Sequence, residues 1–222
     1  MKSDQICIGQ VFPDVNKLQL KNKLKINDES LMYISTPYSA KLTTNIIIKH
    51  ALRYFDDCLN VHIMDATAGV GGNTISFAKN FGNVTSIEYD GERYSFLENN
   101  IEAYELHNVK LYHNNCFELF HKINCDVIFV DPPWGGKDYK NNVNIILTLS
   151  NVSLENMCMY LLDRPVKLIV LKLPKNYDIC HMYKQMSNYI NNKKKHRKIY
   201  LYELKKMLIV VIENGYYTLP MF

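Results

Sequence analysis

The sequence predicts an α/β fold: a mostly parallel sheet of seven strands with helices on both faces, closed by an antiparallel β-hairpin. Three observations predict it. Strand-like and helix-like segments alternate five times between residues 61 and 191, the pattern of βα units feeding a parallel sheet. The strand segments are short and mostly apolar, as in strands covered on both faces. The alternation then breaks, because Lys198–Leu204 and Met207–Ile212 follow each other with almost nothing between them, which makes a hairpin.

Taken in order, residues 1–30 are polar and Lys-rich. Within them Leu18, Leu20, Leu24 and Ile26 alternate with Lys17, Gln19, Lys21, Lys23 and Lys25, which reads as a strand or a short amphipathic piece laid on the domain. Ser35-Thr36-Pro37 is a turn or helix start, and Thr43–Phe55 has helical period. Strands are read at Val61–Met64, Val84–Tyr89, Val109–His113, Asp126–Val130 and Val166–Leu171. Helices are read at Asn73–Phe81, Gly91–Tyr104, Glu118–Lys122, within Asn144–Leu162, and at Ile179–Asn191. No internal repeat and no linker divides residues 31–222.

Length and composition bound the function. A chain of 222 residues with 47% hydrophobic and 22% charged residues is an ordinary globular domain. It is large enough to need no disulfide or metal staple. Asn (24), Lys (22), Ile (21) and Tyr (16) dominate, while Ala (6) and Arg (4) are scarce. All four favoured residues have AT-rich codons, which points to genome bias of the kind found in parasites or large DNA viruses. The longest apolar runs are far below the ~20 residues that span a bilayer, and Met1–Pro13 lacks a secretory h-region. Six cysteines show no metal-ligand spacing, so reduced intracellular thiols and no metal site are expected. The net charge of +4 permits an anionic partner without demanding one.

Two motifs carry chemistry. Asp65-Ala-Thr-Ala-Gly69-Val-Gly71-Gly72-Asn73 leaves the first strand as a loop of small residues that lets backbone approach a ligand at the carboxyl edge of the sheet. It lacks the GxGxxG pattern; an acid four residues before the first glycine suits the ammonium of an amino-acid tail better than a pyrophosphate. Glu88, 23 residues on at the end of the second strand, can bond ribose hydroxyls. Asn115 and Cys116 follow the third strand, where an adenine edge would fall. Together these predict S-adenosyl-L-methionine as cofactor.

The second motif, Asp131-Pro132-Pro133-Trp134-Gly135-Gly136, ends the fourth strand. It suits methylation of an amino group conjugated to a ring. Such a nitrogen is a weak nucleophile, and two acceptors, the Asp131 carboxylate and the Pro132 carbonyl, can hold its N–H bonds and encourage pyramidalisation. The prolines stiffen the loop, and Trp134, the only tryptophan in the chain, offers a flat face for the base. The chemistry is chiefly positioning.

These two motifs closely resemble trimethylguanosine synthase, the RNA cap guanine-N2 methyltransferase family. Ile34-Ser-Thr-Pro37 resembles the family's Ser-x-Thr-Pro stretch, Leu173-Pro-Lys-Asn176 its Leu-Pro-Arg-Asn stretch, and the terminal hairpin corresponds. The likeness covers residues 31–213. It implies a class I, Rossmann-like methyltransferase domain at 31–222, with residues 1–30 as an extension near the active site. It implies transfer of one or two methyl groups to N2 of N7-methylguanosine in a capped RNA or N7-methyl-GTP. The alternative is amino methylation of guanine or adenine in rRNA, tRNA or DNA.

The resemblance assigns Thr36, Asp65, Thr67, Gly69, Gly71, Asn73, Glu88, Asn115, Cys116 and Asp131 to the cofactor. It assigns Trp134, Lys137, Tyr139, Lys175 and Asn176 to the substrate, with Lys140 and Lys41 as further phosphate candidates. Three positions depart from the family: Asp131 where Ser is frequent, Glu88 where Asp is usual, and Asn115 where Asp often meets adenine. The basic run Lys193–Lys198 is read as a solvated loop, an RNA contact or a nuclear-import signal. A monomer in the nucleus, or in the cytoplasm or virion if viral, completes the expectation.

Overall fold

The computed structural model describes residues 8–193 and 197–215, with the side chains at 137, 192 and 193 left out. Before the sheet come α1 (Ile8–Val11), α2 (Asp28–Tyr33) and α3 (Pro37–Ala51). The alternating part runs β1 (His62–Asp65), α4 (Gly72–Ala78), β2 (Asn83–Glu88), α5 (Gly91–Ala103), β3 (Val109–His113), α6 (Cys116–Leu119) and β4 (Val127–Val130). A small hairpin, β5 (Thr148–Leu149) and β6 (Val152–Ser153), precedes α7 (Leu154–Leu162), β7 (Leu168–Pro174), α8 (Ile179–Lys193), β8 (Arg197–Glu203) and β9 (Met207–Asn214).

The seven-stranded sheet has the order β3-β2-β1-β4-β7-β9-β8. The strands from β3 to β7 in that order are parallel, and β9 pairs antiparallel with both β7 and β8. The chain winds outward from β1 to β3, then returns to lay β4 on the other side of β1. That reversal opens a crevice at the carboxyl ends of β1 and β4, where sheets of this kind bind ligands. All seven residues of β7 and all four of β4 are buried, as central strands covered on both faces must be.

Helix starts follow local chemistry. The Asn27, Thr36, Asp90, Asn115 and Ser153 side chains each accept a backbone N–H at the head of α2, α3, α5, α6 and α7, satisfying donors the helix cannot. Pro37 occupies the first turn of α3, so this helix begins six residues before the periodicity at Thr43 suggests. The Ser150–Asn151 turn between β5 and β6 carries φ of 49° and 64°, the left-handed geometry of a tight hairpin. Strands of two residues have too little alternation to show in sequence.

The alternation at Lys17–Ile26 forms no strand. Leu20 and Leu24 lie on one side of a turn joined by Leu24 N–H to Leu20 O, 3.3 Å, and are buried with Ile75, Leu97 and Ile101. Leu18 points to solvent. The spacing of four outweighs the spacing of two because the surface beneath is the side of α4 and α5, which offers no unpaired strand edge. Among the described residues no helix is long and apolar enough to cross a membrane, and no cluster of metal-ligating side chains occurs.

Candidate active site

A cavity of about 950 Å³ opens at the carboxyl edge of the sheet. Its floor is the loop after β1: Thr67, Gly69, Gly72 and Asn73 line it, with Glu88 at the end of β2 and Asn115 and Cys116 after β3. Its wall is Asp131–Gly136 after β4. Residues that lie far apart in sequence meet here because every parallel strand ends on the same edge.

The glycines answer to contacts. A Cβ on Gly72 would lie 2.8 Å from the Ser35 carbonyl oxygen, so only glycine lets α4 approach the segment leading into α3. Gly71 sits at φ 103° with Leu97 3.2 Å from where a Cβ would be. It turns the chain into α4 behind the cavity wall.

Asp65 lies fully buried beneath this loop. Its Oδ2 accepts from Thr74 Oγ1 at 2.8 Å, while Oδ1 has no partner. Burial pushes its carboxyl up to about 7, reinforced by the nearby Asp131 and Glu88 and opposed by the Thr74 hydrogen bond. Asn73 Oδ1, on the cavity, also lacks a partner. Asp65 Oδ1 beneath the loop and Asn73 Oδ1 are thus acceptors without a donor, and a cationic ammonium group is a donor of the kind such acceptors take. Glu88 is already engaged: Oε2 accepts Gly69 N–H at 2.8 Å, and Oε1 accepts Asp90 N–H at 2.9 Å and Arg93 Nε–H at 3.2 Å. A carboxylate has about four lone-pair sites, so it retains capacity for a hydroxyl.

Thr67 Oγ1 accepts Asp131 N–H at 2.8 Å and ties the two motif loops together. Trp134 is half-buried, packed against the core on both sides of the sheet, and meets Tyr139 edge-to-face at 5.4 Å. Its indole therefore belongs to both core and cavity. Cys116 is buried, with its thiol pushed up to about 12 by desolvation, which leaves it no thiolate chemistry at neutral pH.

Other predicted residues fall elsewhere. Thr36 is exposed and serves as the cap of α3; its neighbour Ser35 is the one facing the cavity. Asn176 holds the loop after β4 by donating to the Tyr139 and Asn142 carbonyls, 2.7 Å each, and does not reach the cavity. Lys175 is bonded to Glu203 at 2.6 Å in an exposed pair. Lys41 is exposed outside the cavity, while Lys140 lines it. The Lys137 side chain and residues 194–196 of the basic run lie outside the described residues.

Sequence reasoning missed Lys172, Ser35 and Arg93, which all line the cavity. Lys172 Nζ donates to Asp131 Oδ2 at 2.5 Å and to Ser35 Oγ at 2.7 Å. A lone charge inside the apolar run Leu168–Leu173 was the available signal.

Comparison with known proteins places the chain. The family model described as RNA cap guanine-N2 methyltransferase matches residues 60–218. An uncharacterized protein of Acanthamoeba polyphaga mimivirus is 35% identical over 224 aligned residues, covering 92% of this chain and 84% of that protein. The trimethylguanosine synthase of Saccharomyces cerevisiae is 26% identical, covering 90% of this chain and 62% of the yeast protein. Among solved structures, precorrin-6y C5,15-methyltransferase of Geobacter metallireducens GS-15 superposes with a TM-score of 0.56 at 15% identity. It covers 88% of this chain and 95% of that one, which shows the fold. The family match spans the sheet, both motif loops and the closing hairpin: the chain belongs to the RNA cap guanine-N2 methyltransferase family and is an S-adenosyl-L-methionine-dependent methyltransferase.

Proposed function

We propose that the protein transfers methyl from S-adenosyl-L-methionine to the exocyclic N2 of N7-methylguanosine at an RNA 5′ cap. The observation that carries this reading is the placement of Asp131 and Trp134 together on the cavity that the glycine loop also lines. An acceptor for an amine and a flat π face for its ring are thus presented to a methyl donor.

In this reading Asp65 and Asn73 take the ammonium of the cofactor, Glu88 its ribose, and Asn115 with Cys116 its adenine. The cofactor supplies an electrophilic methyl on a sulfonium. Asp131 and the Pro132 carbonyl hold the N2 hydrogens, so the nitrogen lone pair turns toward that methyl. The cofactor would supply the methyl and leave as the neutral thioether, and the N2 proton, acidic once the nitrogen carries the methyl, would pass to solvent. Trp134 selects the base. N7-methylguanine is cationic, so stacking on indole gains ~0.5–2 kcal/mol over plain guanine. Lys140 is positioned for the cap phosphates. Residues 1–30 help close the site: Glu29, at the head of α2, lines the cavity and stands 3.6 Å from Arg93.

Mass spectrometry of products formed on N7-methyl-GTP and on GTP tests the proposal. One or two methyl groups should appear on the former and none on the latter. Equal turnover of GTP, or activity confined to uncapped structured RNA or DNA, would overturn the cap reading in favour of general amino methylation of nucleobases. Cap binding with no label transferred from the cofactor would mark a silent binding module.

A further inference from the structure

Lys172 is 6% exposed in a strand whose other residues are all buried. A buried ammonium is expensive unless it is paired and hydrogen-bonded. This one is both. It bonds Asp131 Oδ2 at 2.5 Å and Ser35 Oγ at 2.7 Å, and lies 5.4 Å from the centre of the Trp134 ring. It therefore touches the carboxylate, the indole and the segment entering α3. The Lys172 carbonyl oxygen also stands 3.4 Å from Trp134 Nε1, so this residue holds the indole from its backbone as well.

We propose that Lys172 is a positioning residue for methyl transfer: it anchors Asp131 through Oδ2 and favours the ionised carboxylate that accepts the amine N–H. This rests on the reading of Asp131 as the amine acceptor. A protonated Asp131 would turn a donor toward the substrate N–H, where an acceptor is needed. The groups facing Asp131 fall into two sets. Desolvation raises its carboxyl, with Asp65 from β1 adding negative charge nearby. Lys172 from β7 opposes this most strongly, with help from Asn73 of α4 and from Trp134. Glu88 from β2 lies one step further, beside Asp65.

The single tryptophan makes this testable without turnover. Trp134 fluorescence is titrated with pH in the wild type, Lys172→Met, Asp131→Asn and the double variant. A transition that moves up by half a pH unit or more in Lys172→Met and disappears in both Asp131→Asn backgrounds is expected. A midpoint unmoved by Lys172→Met would overturn the proposal. Kinetics supply the second arm, using whichever nucleotide the wild type methylates. Lys172→Met should lower kcat at least tenfold, shift its acid limb upward, and leave the cofactor Kd within threefold. In the Asp131→Asn background the same substitution should change kcat by less than threefold. A full tenfold loss there would show that Lys172 acts independently of Asp131. Should Lys172→Met fail to fold, Asp131→Asn against the double variant decides by the same criterion. Wild-type inactivity on N7-methyl-GTP with the fluorescence shift intact would fault the cap reading alone.

Discussion

Two carboxylates at the site, Asp65 fully buried and Asp131 partly so, are asked to do opposite things. Asp131 has Lys172 beside it, which offsets part of the rise that burial causes; Asp65 has neutral donors, the Thr74 hydroxyl and the Thr67 backbone, against that rise. In the proposed reading, Asp65 is the group whose charge meets the cofactor's ammonium. With its carboxyl raised to about 7, cofactor affinity should strengthen severalfold between pH 6 and 7.5, read by isothermal titration. Asp65→Asn should weaken binding and flatten that dependence; an unchanged slope would assign it to another group. Because the folded value lies above the ordinary one, the same carboxyl favours the folded apo-protein below pH 3.8, and that contribution is lost as pH rises to about 7. On the substrate side, Trp134→Ala should abolish detectable cap binding while cofactor binding persists. Asp131→Ala should reduce kcat far more than substrate affinity. Near-normal turnover by Trp134→Ala would rule out stacking on this ring.

At the scale of elements, Asn100 is the centre of the seam that holds the segment before the sheet to α5. The fully buried Asn100 accepts Lys25 N–H at 2.8 Å and donates to the carbonyls of Lys25 at 2.9 Å and Val70 at 3.0 Å. It joins the N-terminal segment, α5 and the glycine loop at a single side chain. Asn27 to Glu92 at 2.7 Å and Asn99 to the Lys23 carbonyl at 2.7 Å extend the same seam. Asn100→Ala leaves buried backbone groups without partners. It should destabilise by about 2–3 kcal/mol and lower Tm by roughly 5–10 °C, measured by thermal melt. Because Val70 belongs to the glycine loop, cofactor affinity should fall with it. A melt shift with unchanged cofactor affinity would separate the seam from the site.

Across the whole molecule, α3 is joined to the terminal hairpin by a buried polar network on the side of the sheet away from α7. His50 Nδ1 lies 2.6 Å from Glu213 Oε1, and His50 Nε2 lies 2.7 Å from Tyr202 Oη. Arg53 adds bonds to Glu213 at 2.9 Å and Tyr200 at 2.8 Å. Burial holds His50 below its ordinary 6.5, against the pull of Glu213. A neutral ring fits the geometry: Nδ1–H donates to the carboxylate and Nε2 accepts from the tyrosine. A depressed folded value means that this contribution is complete above pH 6.5 and is lost as pH falls through the folded value. Tm should therefore drop more steeply below pH 6.5 in the wild type than in His50→Gln. Parallel profiles would remove His50 from the acid response.

Much of this architecture was legible from residues 31–213 as a string. Period and apolar runs set the strand order's raw material, because a parallel strand covered on both faces admits few polar residues and the closing hairpin allows none of the crossover helices. Both motifs were legible too, since a glycine loop and an Asp-Pro-Pro-Trp turn require particular backbone and π chemistry whatever surrounds them. What only the tertiary structure decided is which side chains meet. Lys172 and Ser35 lie 137 residues apart and share no motif; they touch because β7 ends beside the segment that enters α3. Thr36, expected at the cofactor, is a helix cap, because one residue of register turns a side chain from cavity to solvent. Lys17–Ile26 showed an alternation of two and folded as turns, because the surface available to it was helical. Local pattern reports what backbone and solvent demand of each segment, whereas the pairing of a buried charge depends on neighbours that the chain meets only after the sheet is closed.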